Sequence, residues 1–340
     1  VPRVVEACAA TPNPDEALTR ILDLLEAVSR RAAYLSLLLE YPDGLQKLAH
    51  LAGASLWAAN FLQHHPILLD ELLDVRILEA APDWPALSRQ LEHALDEIEP
   101  DTERQMDLLR ETHHAQLFRL LAQDLGGMLT LEKLADHLSA LADVMLELAL
   151  KFAWRKVSKR HCETPHFAII SYGKLGGKEL GYASDLDLVF IYDDPAPEAP
   201  ENYARLATRL NTWLSSQTAA GLLFETDLRL RPNGDSGLIV CSLETFRKYQ
   251  IESAWLWEHQ ALTRARFSAG DHTIGDAFEA IRNEILRQPR DLENLKREVV
   301  AMRQKMFDAH ATKGAQAEAV FDLKHDCGGL VDVEFIVQYL

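Results

Sequence analysis

The sequence predicts an α+β chain: a helical bundle first, a small sheet in the middle and a helical segment last. Three observations carry this. Residues 14–160 hold apolar side chains at helical spacing with almost no strand signal. At Pro165 the character changes to short β-type runs separated by Gly- and Pro-rich loops. From Ser242 onward the pattern is mainly helical again. A length of 340 residues suits two or three domains. The expected division is a helical domain over 1–128, an α+β domain over 129–270 and a second, incomplete helical domain over 271–340.

Each element follows from local chemistry. Asn13-Pro14-Asp15-Glu16 combines a capping side chain with Pro in a first turn, and Leu18, Ile21, Leu22, Leu25 and Val28 then form a stripe. Tyr41-Pro42-Asp43-Gly44 reads as a turn and His65-Pro66 as a break. A further helix is expected from Ile67, with Leu68, Leu69, Leu72 and Leu73 on its apolar side. Ala81 to Pro85 reads as a linker into a fresh helix. Two long helices, about 101–125 and 130–159, flank Gly126-Gly127, and the second is a candidate to pack with the sheet that follows. Phe167–Tyr172 and Leu186–Tyr192 read as strands, Tyr203–Ala220 as an amphipathic helix, Leu222–Leu230 as an alternating strand and Leu238–Cys241 as a fourth strand.

Composition excludes several function classes. Lys plus Arg total 35 against 52 for Asp plus Glu, a formal charge of −17 shared by both halves. A surface this acidic is unsuited to gripping nucleic acid by its phosphates or to lying on an anionic membrane. No apolar run reaches the roughly 18 residues of a transmembrane helix. The chain opens on Val without a signal-peptide pattern, so a piece of a larger cytoplasmic protein is expected. Cys8, Cys162, Cys241 and Cys327 are widely spaced and form no CxxC pair, so reduced thiols are expected.

The chemistry is expected at Tyr172-Gly173-Lys174-Leu175-Gly176-Gly177 and Ser184-Asp185-Leu186-Asp187-Leu188. On a strand, Asp185 and Asp187 share a face while Leu186 and Leu188 enter the core. Carboxylates forced side by side resist joint ionisation, and a divalent cation removes that cost. Mg²⁺ suits a few carboxylates plus substrate phosphates. Asp227 lies on the polar side of the later strand; if that strand pairs beside the first, three acids converge on a site fit for displacement at phosphorus. Gly173, Gly176 and Gly177 allow backbone to approach phosphate. Lys174, Ser184, Arg229 and Arg231 are candidate phosphate partners. Each piece alone has a bland reading, as a solvated edge, a plain turn or a local ion pair; their order along the chain is what singles them out. His64-His65 and His113-His114 read as surface or core histidines rather than metal ligands, and Trp255 and Trp257 as core. Asp332 and Glu334 repeat the two-residue acid spacing, but on a helix they do not share a face, so a structural or partner-contact role is expected.

Tyr172-Gly173-Lys174, ten residues and Asp185-Leu186-Asp187 resemble the signature of the DNA polymerase β-like nucleotidyltransferase superfamily, with Lys174 where Ser is common. The longer string from Gly173 to Tyr192 resembles the bifunctional glutamine synthetase adenylyltransferase/adenylyl-removing family. Glu225 to Pro232, Trp257 to Leu262 and Gly328 to Phe335 agree with it. The Gly181–Leu188 and Trp257–Arg266 wording is similar to the C-terminal, adenylylating half, and Pro66–Asp74 to the helical linker ahead of it. The end at Gln338-Tyr339-Leu340 falls inside the family pattern, so a truncated last helical segment is expected. The resemblance implies a polymerase β-like sheet domain and transfer of AMP from ATP to a tyrosine hydroxyl of glutamine synthetase. It makes Asp185, Asp187 and Asp227 the metal-binding acids, with Asp227 the candidate base for the phenol. It also implies glutamine and the PII protein as regulators. The phosphorolytic, adenylyl-removing half, a nucleotidyltransferase with another acceptor and a regulatory scaffold are the alternatives.

Overall fold

The computed structural model describes residues 2–29, 32–72, 78, 80–313 and 319–340. The chain gathers into two compact units. One comprises the chain up to Met145 plus Gln217–Leu223; the other comprises Leu146–Ser216 plus Phe224–Leu340. The boundary falls inside the helix Leu131–Arg155. Its second half therefore belongs with the sheet, as expected. No described helix is long and apolar enough to cross a membrane.

The first unit is helical. Caps and prolines set its starts: Pro14, Pro42 and Pro85 occupy first-turn positions, and Ser55, Asp83 and Asp101 accept amides from Ala58, Ala86 and Arg104. Tyr41–Gly44 is thus not a turn but the entry to the helix Pro42–Ala54. Asn13 does not cap its helix; its amide donates to the Gly53 carbonyl at 3.3 Å. The stripe on Pro14–Val28 is also rotated from expectation, with Ala17, Ile21, Leu24 and Val28 buried and Leu22 exposed. Pro66–Leu72 is a 3₁₀ helix with Leu68, Leu69 and Leu72 buried; Leu73 lies outside the described residues.

The second unit is built on five strands: β1 Phe167–Ser171, β2 Leu186–Tyr192, β3 Thr226–Asp227, β4 Val240–Ser242 and β5 Arg266–Gly270. β2 is the organising strand. It runs antiparallel to β1, parallel to β3 at its start and parallel to β4 at its end. β1 in turn pairs antiparallel with β5. All five β1 side chains are buried, which requires cover on both faces. One face packs Ala168, Ile170, Val189 and Ile191 against Phe246, Phe278 and Ile285. On the other, Phe167 lies 5.7 Å from Phe190 and 5.9 Å from Tyr203, which stacks on Trp154.

Four boundaries differ from the sequence reading. The helix expected at Tyr203 begins at Ala199 and ends at Ser215. The strand Leu222–Leu230 shrinks to β3, because Thr218 bridges Gly221 before it and the Arg231 amide turns back to the Leu228 carbonyl after it. The fourth strand starts at Val240 rather than Leu238. β5 falls within a stretch expected to be helical. Its Arg-Phe-Ser-Ala-Gly alternation is only five residues long, and its partner strand is distant in sequence: Ser171 pairs with Arg266, and the Ser268 hydroxyl donates to the Ser171 hydroxyl at 2.7 Å.

Candidate active site

The turn between β1 and β2 supplies the first part of the site. Gly173–Gly176 forms a single helical turn rather than an open loop. Gly173 has φ +54°, and a Cβ there would sit 2.0 Å from Asp187 Oδ2. Only glycine permits both that conformation and that closeness. A Cβ on Gly176 would lie 1.8 Å from the Arg264 carbonyl oxygen. The Gly176 and Gly177 amides donate to the carbonyls of Tyr172 and Gly173 at 2.9 and 3.0 Å, so they close the turn rather than face outward. Lys174 is exposed beside it. The Ser184 hydroxyl accepts the Gly181 amide at 3.0 Å.

Asp187 is the second residue of β2, and Asp185 immediately precedes the strand. The Tyr172 amide donates to the Asp187 carbonyl at 2.9 Å, which fixes the turn over the carboxylate. Asp227 comes alongside through the parallel register Asp187↔Asp227. The expected pairing of the two strands is therefore present. Burial, then the charges of Asp185 and Asp227, push the Asp187 carboxyl up to about 6, with Arg229 and Lys174 opposing. Asp227 behaves differently. Arg229 donates through Nε to both of its oxygens, at 3.0 and 2.8 Å, and through Nη2. Those hydrogen bonds hold Asp227 below the usual carboxylate range. Raised proton affinity thus belongs to Asp187 rather than Asp227. Arg231 points elsewhere, to the Leu228 carbonyl at 2.8 Å and the Gly237 carbonyl at 3.4 Å.

Among the described residues, ligand atoms come within 4.8 Å of one another in a group of three only at His161, Cys162 and Asp194. The acids 185, 187 and 227 are not gathered that tightly while Arg229 occupies Asp227. The His161 group had no signal in the sequence, since its members come from the two loops flanking the β1–β2 pair. It is a closed hydrogen-bond cluster. His161 Nε2 meets Asp194 Oδ2 at 2.8 Å, Asn202 Nδ2 meets His161 Nδ1 at 2.9 Å, and the Tyr203 hydroxyl donates to Asp194 at 2.7 Å. With Asn202 donating to Nδ1, the ring proton sits on Nε2, and that nitrogen is not free to bind a metal. Burial works to raise the Asp194 carboxyl, but the donors His161, Ala196 and Tyr203 outweigh it and hold it at about 2.

The other conspicuous residues are placed as follows. His113 and His114 are core histidines, lowered to about 3 and about 4 by burial and then by neighbouring histidines. Trp255, expected in the core, is exposed, and Trp257 is half-buried. The four cysteines are free thiols. Asp332 pairs with Arg303 and Glu334 with Arg264, so this acid pair engages two separate arginines.

A family model for glutamate-ammonia ligase adenylyltransferase matches residues 45–281. The chain belongs to that family. Members similar to it are each described as a bifunctional glutamine synthetase adenylyltransferase/adenylyl-removing enzyme. That of Aromatoleum aromaticum is 69% identical over all of this chain, which covers 36% of the relative. Those of Chromobacterium violaceum and Nitrosomonas europaea are 58% and 55% identical, again over the whole chain and 37% of each relative. The chain therefore spans a little over a third of the length of the curated relatives it matches. Family membership agrees with the resemblance carried by the turn and the acids, and the matched stretch contains all three acids.

Proposed function

We propose that this chain is the adenylylating half of such an enzyme, transferring AMP from ATP to a tyrosine hydroxyl of glutamine synthetase in the cytoplasm. The observation that carries the reading is Asp187 set against Gly173, whose turn leaves no room for a side chain, with Asp227 in register beside it and Asp185 two residues before it. Three hard oxygen donors, one with its ionisation opposed by its neighbours, suit Mg²⁺. Bound there, the cation would neutralise the carboxylates and charge on the triphosphate. Asp227 becomes available to it once Arg229 lets go, and a triphosphate is the natural new partner for that guanidinium. Lys174, at the exposed edge of the turn, and Ser184 serve the same phosphates in this reading. Gly173, Gly176 and Gly177 shape the turn, and Arg231 braces the segment after β3.

In the transfer, the phenol oxygen bonds to the α-phosphorus as the bond to the bridging oxygen breaks, releasing pyrophosphate, and the phenol gives up its proton. The phenol pKa of about 10 calls for help in that loss. Coordination of the phenol oxygen by the cation would supply it, with Asp227, once released by Arg229, the candidate base. Glutamine and the PII protein are the proposed regulators, and the segments 1–128, 129–270 and 271–340 the proposed functional divisions. The test uses α-labelled ATP and unmodified glutamine synthetase. Label transferred by the wild type and lost in Asp185→Asn supports the reading. Phosphate-dependent release of ADP from the modified synthetase, without forward transfer from ATP, would assign the adenylyl-removing half instead.

A further inference from the structure

One contact ties the last described helix to the nucleotide turn. Arg264 lies between the helix Leu256–Leu262 and β5. Its Nη2 donates to Glu179 at 2.6 Å and its Nη1 to Glu334 at 2.8 Å, with the side chain mostly buried. Glu179 follows the glycine turn and returns its own amide to the Lys174 carbonyl at 2.7 Å. Glu334 lies on the helix Leu330–Tyr339. Both glycines of the turn's far side are shaped around this arginine. Gly176 admits the Arg264 carbonyl, and a Cβ on Gly177 would stand 3.0 Å from Arg264 Nε. That Nε is buried without a partner. Arg266 adds a second brace, donating Nε to the Leu175 carbonyl at 3.1 Å. The helix bearing Glu334 is itself secured, since Asp332 takes Arg303 and the Gly328 amide.

We infer that Arg264 is a positioning residue for the Gly173–Gly177 turn, and that Glu334 sets it, so that the helix Leu330–Tyr339 controls the turn's grip on the nucleotide. This rests on the nucleotidyltransferase reading above and deepens it. A guanidinium can bridge two carboxylates at fixed separation, whereas a Lys ammonium is a point charge without that fork. Removing Glu334's charge leaves Arg264 held at the turn side alone. The turn then keeps its hydrogen bonds, but the guanidinium packed against Gly177 loses one of its two anchors and with it the fixed placement against the turn.

The test titrates ATP with Mg²⁺ into the whole protein by calorimetry and measures AMP transfer alongside. Glu334→Gln is expected to weaken ATP binding about fivefold, with kcat within twofold of wild type and Tm within about 2 °C. Arg264→Lys is expected to show the same split between binding and turnover. Adding Glu334→Gln to it should weaken binding no further, because both changes break one link. Val337→Ala, on an exposed position of the same helix, should leave ATP affinity unchanged. Unaltered affinity in Glu334→Gln overturns the inference, as do multiplied defects in the double variant or an equal loss in Val337→Ala. In each of those cases a wild type that binds ATP and transfers AMP leaves the underlying reading standing. A wild type that binds no ATP removes both.

Discussion

At the start of β2, Asp187 stands among carboxylates, whereas just past its end Asp194 stands among donors. The same strand delivers both. At the first end burial and two like charges raise the carboxyl to about 6. At the second, His161, Tyr203 and the Ala196 amide overcome burial and hold it at about 2. The difference separates an acid proposed to bind metal and substrate from a structural one. The structural acid has its hydrogen bonds complete within the fold. Asp187 instead has its charge opposed by burial and by two neighbouring carboxylates, the kind of unsatisfied charge a bound cation would relieve.

Substitution at the two ends should therefore have opposite signatures. Asp187→Asn should lower AMP transfer by a hundredfold or more, on the order of 3 kcal/mol of barrier. It should also raise stability at pH 8 by about 1–2 kcal/mol, since the opposed charge is gone. Kinetics with labelled ATP and a denaturant melt check the two halves. A destabilised Asp187→Asn would break the comparison. Asp194→Ala strips three donors of their acceptor and should cost about 3 kcal/mol in the same melt. ATP affinity should be nearly unchanged in whatever remains folded.

Acid separates the ends next. Asp187 takes up a proton as pH falls through about 6, so Mg²⁺ affinity should drop about tenfold per unit below that point. Because its folded value is raised, Asp187 itself favours folding below the ordinary carboxylate range, and that contribution fades as pH rises through 6. Asp194 is depressed, so its contribution is complete above about pH 4 and is lost as pH falls towards 2. Calorimetric Mg²⁺ titrations at pH 5 to 8 and melts at pH 2 to 5 follow the two. The smallest expected effect concerns metal at the second end. Micromolar Zn²⁺ should move Tm by less than about 1 °C, because the His161 nitrogen facing Asp194 is already spent on a hydrogen bond. A rise of several degrees would make that cluster a metal centre and undo the contrast.

Much of this was legible in the residues. The turn and the strand pair were written as Gly173-Lys174 and Asp185-Leu186-Asp187, where the alternation of acid and leucine leaves one face polar and one apolar. The place of Asp227 on the polar side of an alternating run was legible too, but its parallel pairing beside Asp187 was only a condition there, since alternation fixes neither partner nor direction. β5 was not legible, because Phe267 and Ala269 alternate over only five residues inside a stretch of mainly helical pattern. The clamp on Asp194 was invisible for a different reason: its members are spread from His161 to Tyr203, and only the hairpin pairing of β1 and β2 brings them together. The capture of Asp227 by Arg229 depended on where β3 stops. Two-step spacing suggested Arg229 and Arg231 on one face, but the chain turns back at Leu228, and only Arg229 remains with the acid.

β3 has only two residues in the ladder, held by neighbours such as the Leu186 amide donating to the Glu225 carbonyl at 2.9 Å. β1 and β2 share five residue pairs in the buried centre of the sheet. The two sets of amides should therefore exchange with solvent deuterium by different routes: those of β1 and β2 through global unfolding, those around Thr226 through brief local opening. Of the acids proposed for the site, Asp227 sits on the two-residue strand that opens most readily, while Asp187 is set in the sheet itself.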